Sequence, residues 1–478
     1  MGIISNAKWV TASQVVRVST QVLGVMILAR LLSPTEYGLM AMALVVMNFA
    51  MIFKDLGTSA AIIQKAELSE QTKTATFWFN LALGIAIAVA VLALAPALSQ
   101  LFRQQKLTPV LSVLAFVFPL SSAGAVHQAL LERESKFSAV ARVEIFSSTA
   151  GLLVAIVLAM LGAGVYSLVL QVFTSSVLTS ILLWTASGWR PNGIRSFTRE
   201  QLKPIVGFGS NLAGFNTINY FSRNADGLII GHFMTAAILG AYSLAYRIML
   251  FPLQSMTFVA SRSLYPILSK RQNSPADILP TYLKLIRVVA CLVAPMMAGM
   301  VVVRKDFITI FIGEGWDLSA DILLWLAPTG FLQSIVSTTG LIFMSTGRVK
   351  LLLRISIFNA VTQVGSFLIG SQHDIVTLSA LYLVANVVNF VPNMMLCMKA
   401  IEGGISQIFS GILPSVFCAI AMALFVQLVC KAGLSELSVT TRFAVAIACG
   451  VLSYLSLIRL VSPTTFALVT GLLRRGKK

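Results

Sequence analysis

Runs of about 20 apolar residues follow one another along the whole chain, broken by short connections that collect proline, glycine, serine and charged side chains. A helix rises about 1.5 Å per residue, so each run is long enough to cross a hydrocarbon core about 30 Å thick. The pattern predicts spans near residues 11–31, 39–63, 76–98, 108–130, 139–160, 164–186, 205–231, 237–265, 284–303, 320–345, 350–370, 375–397, 408–430 and 442–461. The expected fold is all-α and integral to a membrane, with about 14 transmembrane helices and no connection large enough for a soluble domain.

An internal repeat lies within this pattern. Shifted by 202 residues, ARLLSPTEYGLMAMAL falls over GHFMTAAILGAYSLAY and matches Gly38 to Gly240. Shifted by 209, QLFRQQKLTPVLSVLAFVFP falls over TIFIGEGWDLSADILLWLAP and matches Pro119 to Pro328. The expectation is two pseudo-symmetric six-helix bundles, 1–186 and 205–398, joined by a basic cytoplasmic linker, 187–204. Two further spans and a basic tail, 399–478, complete the chain. Six spans per half is an even number, so both halves enter the membrane from the same side as a parallel repeat.

Composition agrees with lipid as the main solvent: 57% of the 478 residues are hydrophobic and 11% charged, where a soluble domain carries about 25%. The net charge of +18 does not indicate nucleic acid, because most Lys and Arg sit in short loops. They concentrate at the chain ends and after even-numbered spans, as with Arg190, Arg195, Arg199, Lys203 and the tail LLRRGKK. That asymmetry predicts cytoplasmic termini and contact with anionic membrane lipids. The first apolar segment lacks a small-residue cleavage site and is expected to be retained. Cys291, Cys397, Cys418, Cys430 and Cys449 form no CxxC pair, and His127, His232 and His373 are far apart, so neither a metal site nor a cofactor is expected.

Charge inside a span is the informative exception, since an arginine at mid-bilayer costs about 3 kcal/mol or more and such residues face protein or a watery cavity. Gln14, Arg17 and Gln21 form one polar stripe on span 1, although Arg17 is near enough to the end to reach the headgroups. On span 7, Asn216, Asn219, Arg223 and Asp226 recur at helical spacing; Arg223 and Asp226 pair either as a staple or as part of a site. Span 8 adds Tyr242, Tyr246, Arg247 and a Phe251-Pro252 break, and span 2 adds Lys54 beside Asp55. Arginine remains protonated in low dielectric and its planar fork matches phosphate or carboxylate oxygens, so these faces describe a transporter whose cavity attracts an anion.

Other features carry less. Pro119, Pro252, Pro295, Pro328 and Pro392 kink helices or shape them statically, and His127-Gln128 reads as a packed polar pair. A membrane enzyme acting on lipid-linked sugars needs an acidic or nucleophilic cluster, and the nearest approach, FIGEGWDLSAD with Glu314, Asp317 and Asp321, reads as a solvated loop. No short Gly-rich loop suggests a channel filter.

The stretch ARLLSPTEYGLMAMALVVMNFAMIFKDLGTSAAIIQK, residues 29–65, resembles the bacterial polysaccharide flippases of the Wzx or polysaccharide-transporter type, within the multidrug/oligosaccharidyl-lipid/polysaccharide exporter superfamily. The resemblance extends in hydropathy over essentially the full chain. It implies V-shaped halves around a central cavity and movement of an undecaprenyl-pyrophosphate-linked oligosaccharide across the bacterial inner membrane for exopolysaccharide, capsule or O-antigen synthesis. It places substrate-facing cations, span by span, at Arg17, Lys54, Arg223 and Arg247, with Gln14, Gln21, Asn216, Asn219 and Tyr246 toward the sugar. Asp226 and Asp55 are left for charge pairing or for coupling to a proton or sodium gradient or the membrane potential. A polysaccharide polymerase and other assembly proteins are the implied partners, and a cation-coupled drug exporter of the same superfamily is the alternative.

Overall fold

A computed structural model describes residues 3–55, 58–64, 68–193, 220, 224–251, 275–433 and 437–475. The described residues are helices joined by tight turns, without strands. Eleven of these helices are long and apolar enough to cross a membrane, so the chain is a multi-pass membrane protein. The three other expected spans, 11–31, 205–231 and 237–265, each run into residues outside the description or into helix positions whose side chains lie outside it.

Internal contacts divide the chain into two compact units, Met1–Gly240 and Ala241–Lys478. The expected start of the second bundle, residue 205, lies outside the described residues.

The first unit contains α1 (Ile3–Leu31), α2 (Pro34–Asp55), α3 (Thr58–Gln64), α4 (Glu70–Leu101), α5 (Leu107–Ala115), α6 (Val117–Arg133), α7 (Phe137–Met160), α8 (Val165–Ser187) and α9 (224–233). The turn into α2 explains the SPTEYG stretch. Ser33 is the N-cap: Glu36 N–H donates to its hydroxyl at 3.4 Å, while Ser33 N–H and Oγ–H donate to the Glu36 carboxylate at 2.6 and 2.9 Å. Pro34 fills the first helical position, where no amide donor is needed, so two orphan donors are satisfied reciprocally.

Gly38 then admits a close backbone approach: a Cβ there would lie 1.6 Å from the Ala236 carbonyl oxygen, and one on Gly240 would lie 1.9 Å from the Pro34 carbonyl oxygen. Residues 34 and 38 thus exchange contacts with 236 and 240, the register of the 202-residue shift.

The cytoplasm-expected end of this unit holds a buried aromatic cluster. His127 stacks near Trp184 (ring centroids 4.6 Å) and Trp189 (5.3 Å), and its Nδ1 pairs with the Ser187 hydroxyl at 2.7 Å. Beside it Gln128 donates to Glu132 at 2.8 Å. Residues 188–193 fold back over this end of the helices: Trp189 Nε1 donates to Glu70 and Trp78 Nε1 to the Asn192 carbonyl, each at 2.9 Å.

In the second unit are α11 (Pro275–Phe307), a π-turn (Ile308–Ile312), α12 (Asp317–Val336), α13 (Thr339–Ser345), α14 (Val349–Gly370), α15 (Ile375–Ala400), α16 (Ile405–Gly433), α17 (Val439–Val461) and α18 (Pro463–Arg475). The helix α10 (Ala236–Phe251) reaches it from the first unit's last residues. Helix starts at 107, 137 and 165 recur at 317, 349 and 375, offsets of 210, 212 and 210.

Candidate functional site

The polar positions singled out in the sequence fall on α1, α2, α9, α10 and the segment before α9. Gln21 is exposed on α1, and Lys54 is half-buried in the last turn of α2. Asp226 is half-buried in α9, where one carboxylate oxygen accepts Gly227 N–H at 2.8 Å. Tyr246 stacks one helical turn from the buried Tyr242, with ring centroids 5.9 Å apart and planes 22° from parallel, and Arg247 follows, half-buried. Asn216, Asn219 and Arg223 lie outside the described residues, as do the side chains of Gln14, Arg17 and Asp55.

Within the first unit, Tyr220 anchors the approach to α9. Its ring lies 5.7 Å from Phe49 and its hydroxyl donates to the Val45 carbonyl, so the residues around Asp226 run beside α2. The Glu314, Asp317 and Asp321 loop has the geometry of a solvated turn: Glu314 and Asp317 are exposed, and buried Trp316 holds the loop down.

Two features of the second unit were not anticipated from sequence. The first is a buried amide ladder. Tyr382, Asn386, Asn389 and Asn393 project at successive turns of α15, spaced 4, 3 and 4 residues apart. From α12, Gln333 Nε2 reaches the Tyr382 hydroxyl at 2.6 Å and Asn386 Oδ1 at 3.2 Å. From α14, Thr362 donates to Asn389 at 2.7 Å, and Asn393 donates to Asn359 at 2.9 Å. These four recur at the same helical period as the span 7 stripe but carry no formal charge, so nothing in their residue types marks them as costly in lipid.

The second is an apolar groove of about 630 Å³ between α11, α16, α17 and α18. Its α11 side runs from Cys291 through Pro295 and Gly299 to Phe307, about 24 Å at 1.5 Å per residue; the α17 side runs from Phe443 to Ile458, about 22 Å. The groove therefore follows most of a 30 Å hydrocarbon core. Gly299 and Gly450 line it where there is room for more: a Cβ on either would meet nothing nearer than 3.9 and 3.6 Å respectively. The Tyr454 hydroxyl in its wall is already committed to the Cys291 carbonyl at 2.8 Å. What this groove suits is an extended chain without hydrogen-bonding groups.

These features define a class of multi-pass helical membrane protein whose fold is shared with exporters and flippases. The structure is similar to that of the lipid II flippase MurJ in its inward closed conformation, with a TM-score of 0.73 at 13% identity over 96% of this chain and 98% of that one. It is also similar to an inward-facing multidrug resistance MATE family transporter, with a TM-score of 0.60 at 17% identity over 81% of this chain and 98% of the other.

The model of the polysaccharide biosynthesis protein family matches residues 27–321, and the chain belongs to that family. Relatives include the teichuronic acid biosynthesis protein TuaB of Bacillus subtilis (strain 168), 28% identical over 99% of this chain and 98% of that protein. The lipopolysaccharide biosynthesis protein WzxC of Escherichia coli (strain K12) is 25% identical over 84% of this chain and 82% of its own length. The succinoglycan biosynthesis transport protein ExoT of Rhizobium meliloti (strain 1021) is 27% identical over 77% and 74%.

Proposed function

We propose that this protein is a flippase that moves an undecaprenyl-pyrophosphate-linked oligosaccharide repeat across the bacterial inner membrane for surface polysaccharide assembly, as a transporter and not an enzyme. Relatives named for teichuronic acid, lipopolysaccharide and succinoglycan biosynthesis support the substrate class. The observation that carries the reading is the groove along the C-terminal helices, which has the length and chemistry of a prenyl tail's path through one bilayer. Lipid is as apolar as the groove wall, so entry gains little from the hydrophobic effect and selection rests on shape.

In this reading the architecture is fourteen spans in two pseudo-symmetric bundles, 1–186 and 205–398, with linker 187–204, the added pair in 399–478 and cytoplasmic termini. The recurring helix starts support the repeat. Arg17, Arg223, Arg247 and Lys54 meet the pyrophosphate, because guanidinium forks and an ammonium stabilise a multiply charged anion in low dielectric. Gln14, Gln21, Asn216, Asn219 and Tyr246 offer hydrogen bonds to sugar hydroxyls. Asp226 and Asp55 pair with these cations or couple transport to a proton or sodium gradient or the membrane potential. Anionic lipids contact the basic cytoplasmic loops, and a polysaccharide polymerase receives the product.

A cation-coupled drug exporter is the second reading, favoured by the multidrug transporter fold. That fold covers 81% of the chain against 96% for the lipid II flippase.

The test is rescue of a flippase-deficient strain by wild type, Arg223→Ala, Arg223→Lys and Gly299→Leu, with lipid-linked oligosaccharide measured on each leaflet at equal protein level. Arg223→Ala is expected to fail and Arg223→Lys to rescue partially. Gly299→Leu fills the groove and is expected to abolish export. Wild-type export by Gly299→Leu would remove the groove from the tail's path, and wild-type export by Arg223→Ala would remove that arginine as the anion anchor. Proteoliposomes with imposed pH and sodium gradients test coupling, and flipping unaffected by either gradient or by membrane potential would end it.

A further inference from the structure

One charged pair lies against the groove without belonging to its apolar wall. Arg442, in the first turn of α17, donates from Nε to Asp306 Oδ2 at 2.8 Å and from Nη2 to Asp306 Oδ1. Asp306 is the penultimate residue of α11, and its side chain is 15% exposed, against 29% for Arg442. Two-point contact between a planar fork and a carboxylate fixes both distance and angle, which a single lysine contact does not.

The next residue on each helix is an aromatic of the groove wall: Phe307 follows Asp306, and Phe443 follows Arg442. Phe311, from the π-turn, sits 4.9 Å from Phe307 and 5.6 Å from Phe443 by ring centroids, and completes an aromatic plug at that end. At the other end of the wall, the Tyr454 hydroxyl ties α17 to the Cys291 carbonyl of α11. Between these two polar links, α17 and α11 face each other across apolar space. The buried residues of α17 are a single row, Ala446, Gly450, Tyr454 and Ile458, which packs on Cys418, Ala419, Met422 and Val426 of α16, so α16 carries the helix and the two polar links set its spacing from α11.

We propose that the Asp306–Arg442 pair is a clasp that positions α17 as the wall of the groove and fixes where an extended lipid chain ends against Phe307 and Phe443. The proposal rests on the groove being the path of the substrate's prenyl tail. Under the topology proposed above, the clasp lies at the outer face. Asp306 and Arg442 are positioning residues: neither touches the chain, and each acts through the phenylalanine beside it.

The experiment uses the full-length protein in proteoliposomes with a photoreactive polyprenyl pyrophosphate, followed by mapping of labelled peptides. Arg442→Lys, Arg442→Ala and the exchange variant Asp306→Arg/Arg442→Asp are compared with wild type, with labelling counted per folded molecule and thermal stability measured in parallel. Wild type is expected to label at α11 and α17 groove residues. Arg442→Ala is expected to lower that labelling about tenfold, equivalent to about 1.4 kcal/mol of lost positioning.

Arg442→Lys should fall between, and the exchange variant should recover most of the labelling. A pair that only staples the fold would lower the melting temperature while leaving labelling per folded molecule and its peptide map at wild-type values, and that result overturns the clasp with the tail path intact. Wild type that fails to label in the groove, or that labels equally with a photoreactive diacyl phospholipid, overturns the tail path and the clasp with it.

Discussion

The helices α15 and α17 are near neighbours in length and apolarity, yet they are held in opposite ways. In α15 thirteen residues are buried and a column of amides bonds sideways to α12 and α14; in α17 four are buried, in one row of small and aromatic contacts. In lipid the hydrophobic effect does not drive helices together, so attachment depends on close packing and on polar links. The amide column makes α15 a permanent member of its bundle. In α17 the apolar row rests on α16, and two polar links at the margins of the groove set its spacing from α11.

Substitutions can break or sharpen that contrast, and their expected effects on the fold descend in order. Gly370→Leu should be the most damaging, because a Cβ there would sit 2.6 Å from the Leu378 Cα where α14 turns into α15. A cost of about 3 kcal/mol from overpacking is expected, read as lost folded yield and a lower melting temperature in detergent. Asn393→Leu removes the partner of the half-buried Asn359 side chain and its own bond to the Asn389 carbonyl, and should cost about 1–2 kcal/mol. Equal stability of that variant and wild type would show that the amide column does not anchor α15.

Tyr454→Phe removes one hydrogen bond to the Cys291 carbonyl and should cost about 1 kcal/mol. Its signature is local: a label on α17 should loosen while one on α15 does not.

The smallest effect is electrostatic. Asp374 caps α15, accepting Val376 N–H at 2.8 Å and Thr377 N–H at 2.9 Å, and the Thr377 bonds hold its carboxyl below the ordinary range. A depressed carboxylate stabilises the fold at pH values above the unfolded-state pKa of about 3.9, and that contribution is lost as pH falls through the lower folded value. Acidification should therefore loosen the start of α15 in wild type, whereas Asp374→Asn, still a competent cap, should lack this component in a pH-dependent melting series.

The candidate positions stand out in the chain for identifiable reasons. Lys54, Asp226 and Arg247 are conspicuous because ions at membrane depth violate the solvent preference of their surroundings. The amide column was missed because uncharged Asn386, Asn389 and Asn393 resemble ordinary helix-packing residues until Gln333, Asn359 and Thr362 are placed beside them. The function of Ser33–Gly38 was hidden in the same way. As a string it was a family cue; as geometry it is a reciprocal cap followed by a glycine that admits a neighbouring backbone.

Membrane residence, helical class and the polysaccharide-exporter likeness were all readable from residue order, because preference for lipid over water is summed locally along each run and needs no knowledge of neighbours. The groove and its clasp were not. Cys291, Met422 and Tyr454 share a wall although long stretches of chain separate them, and Asp306 finds Arg442 across 136 positions. Hydropathy specifies that a helix enters the bilayer without specifying which of its faces meets protein, and that choice is made by side-chain shape and hydrogen-bond reach once the helices are side by side.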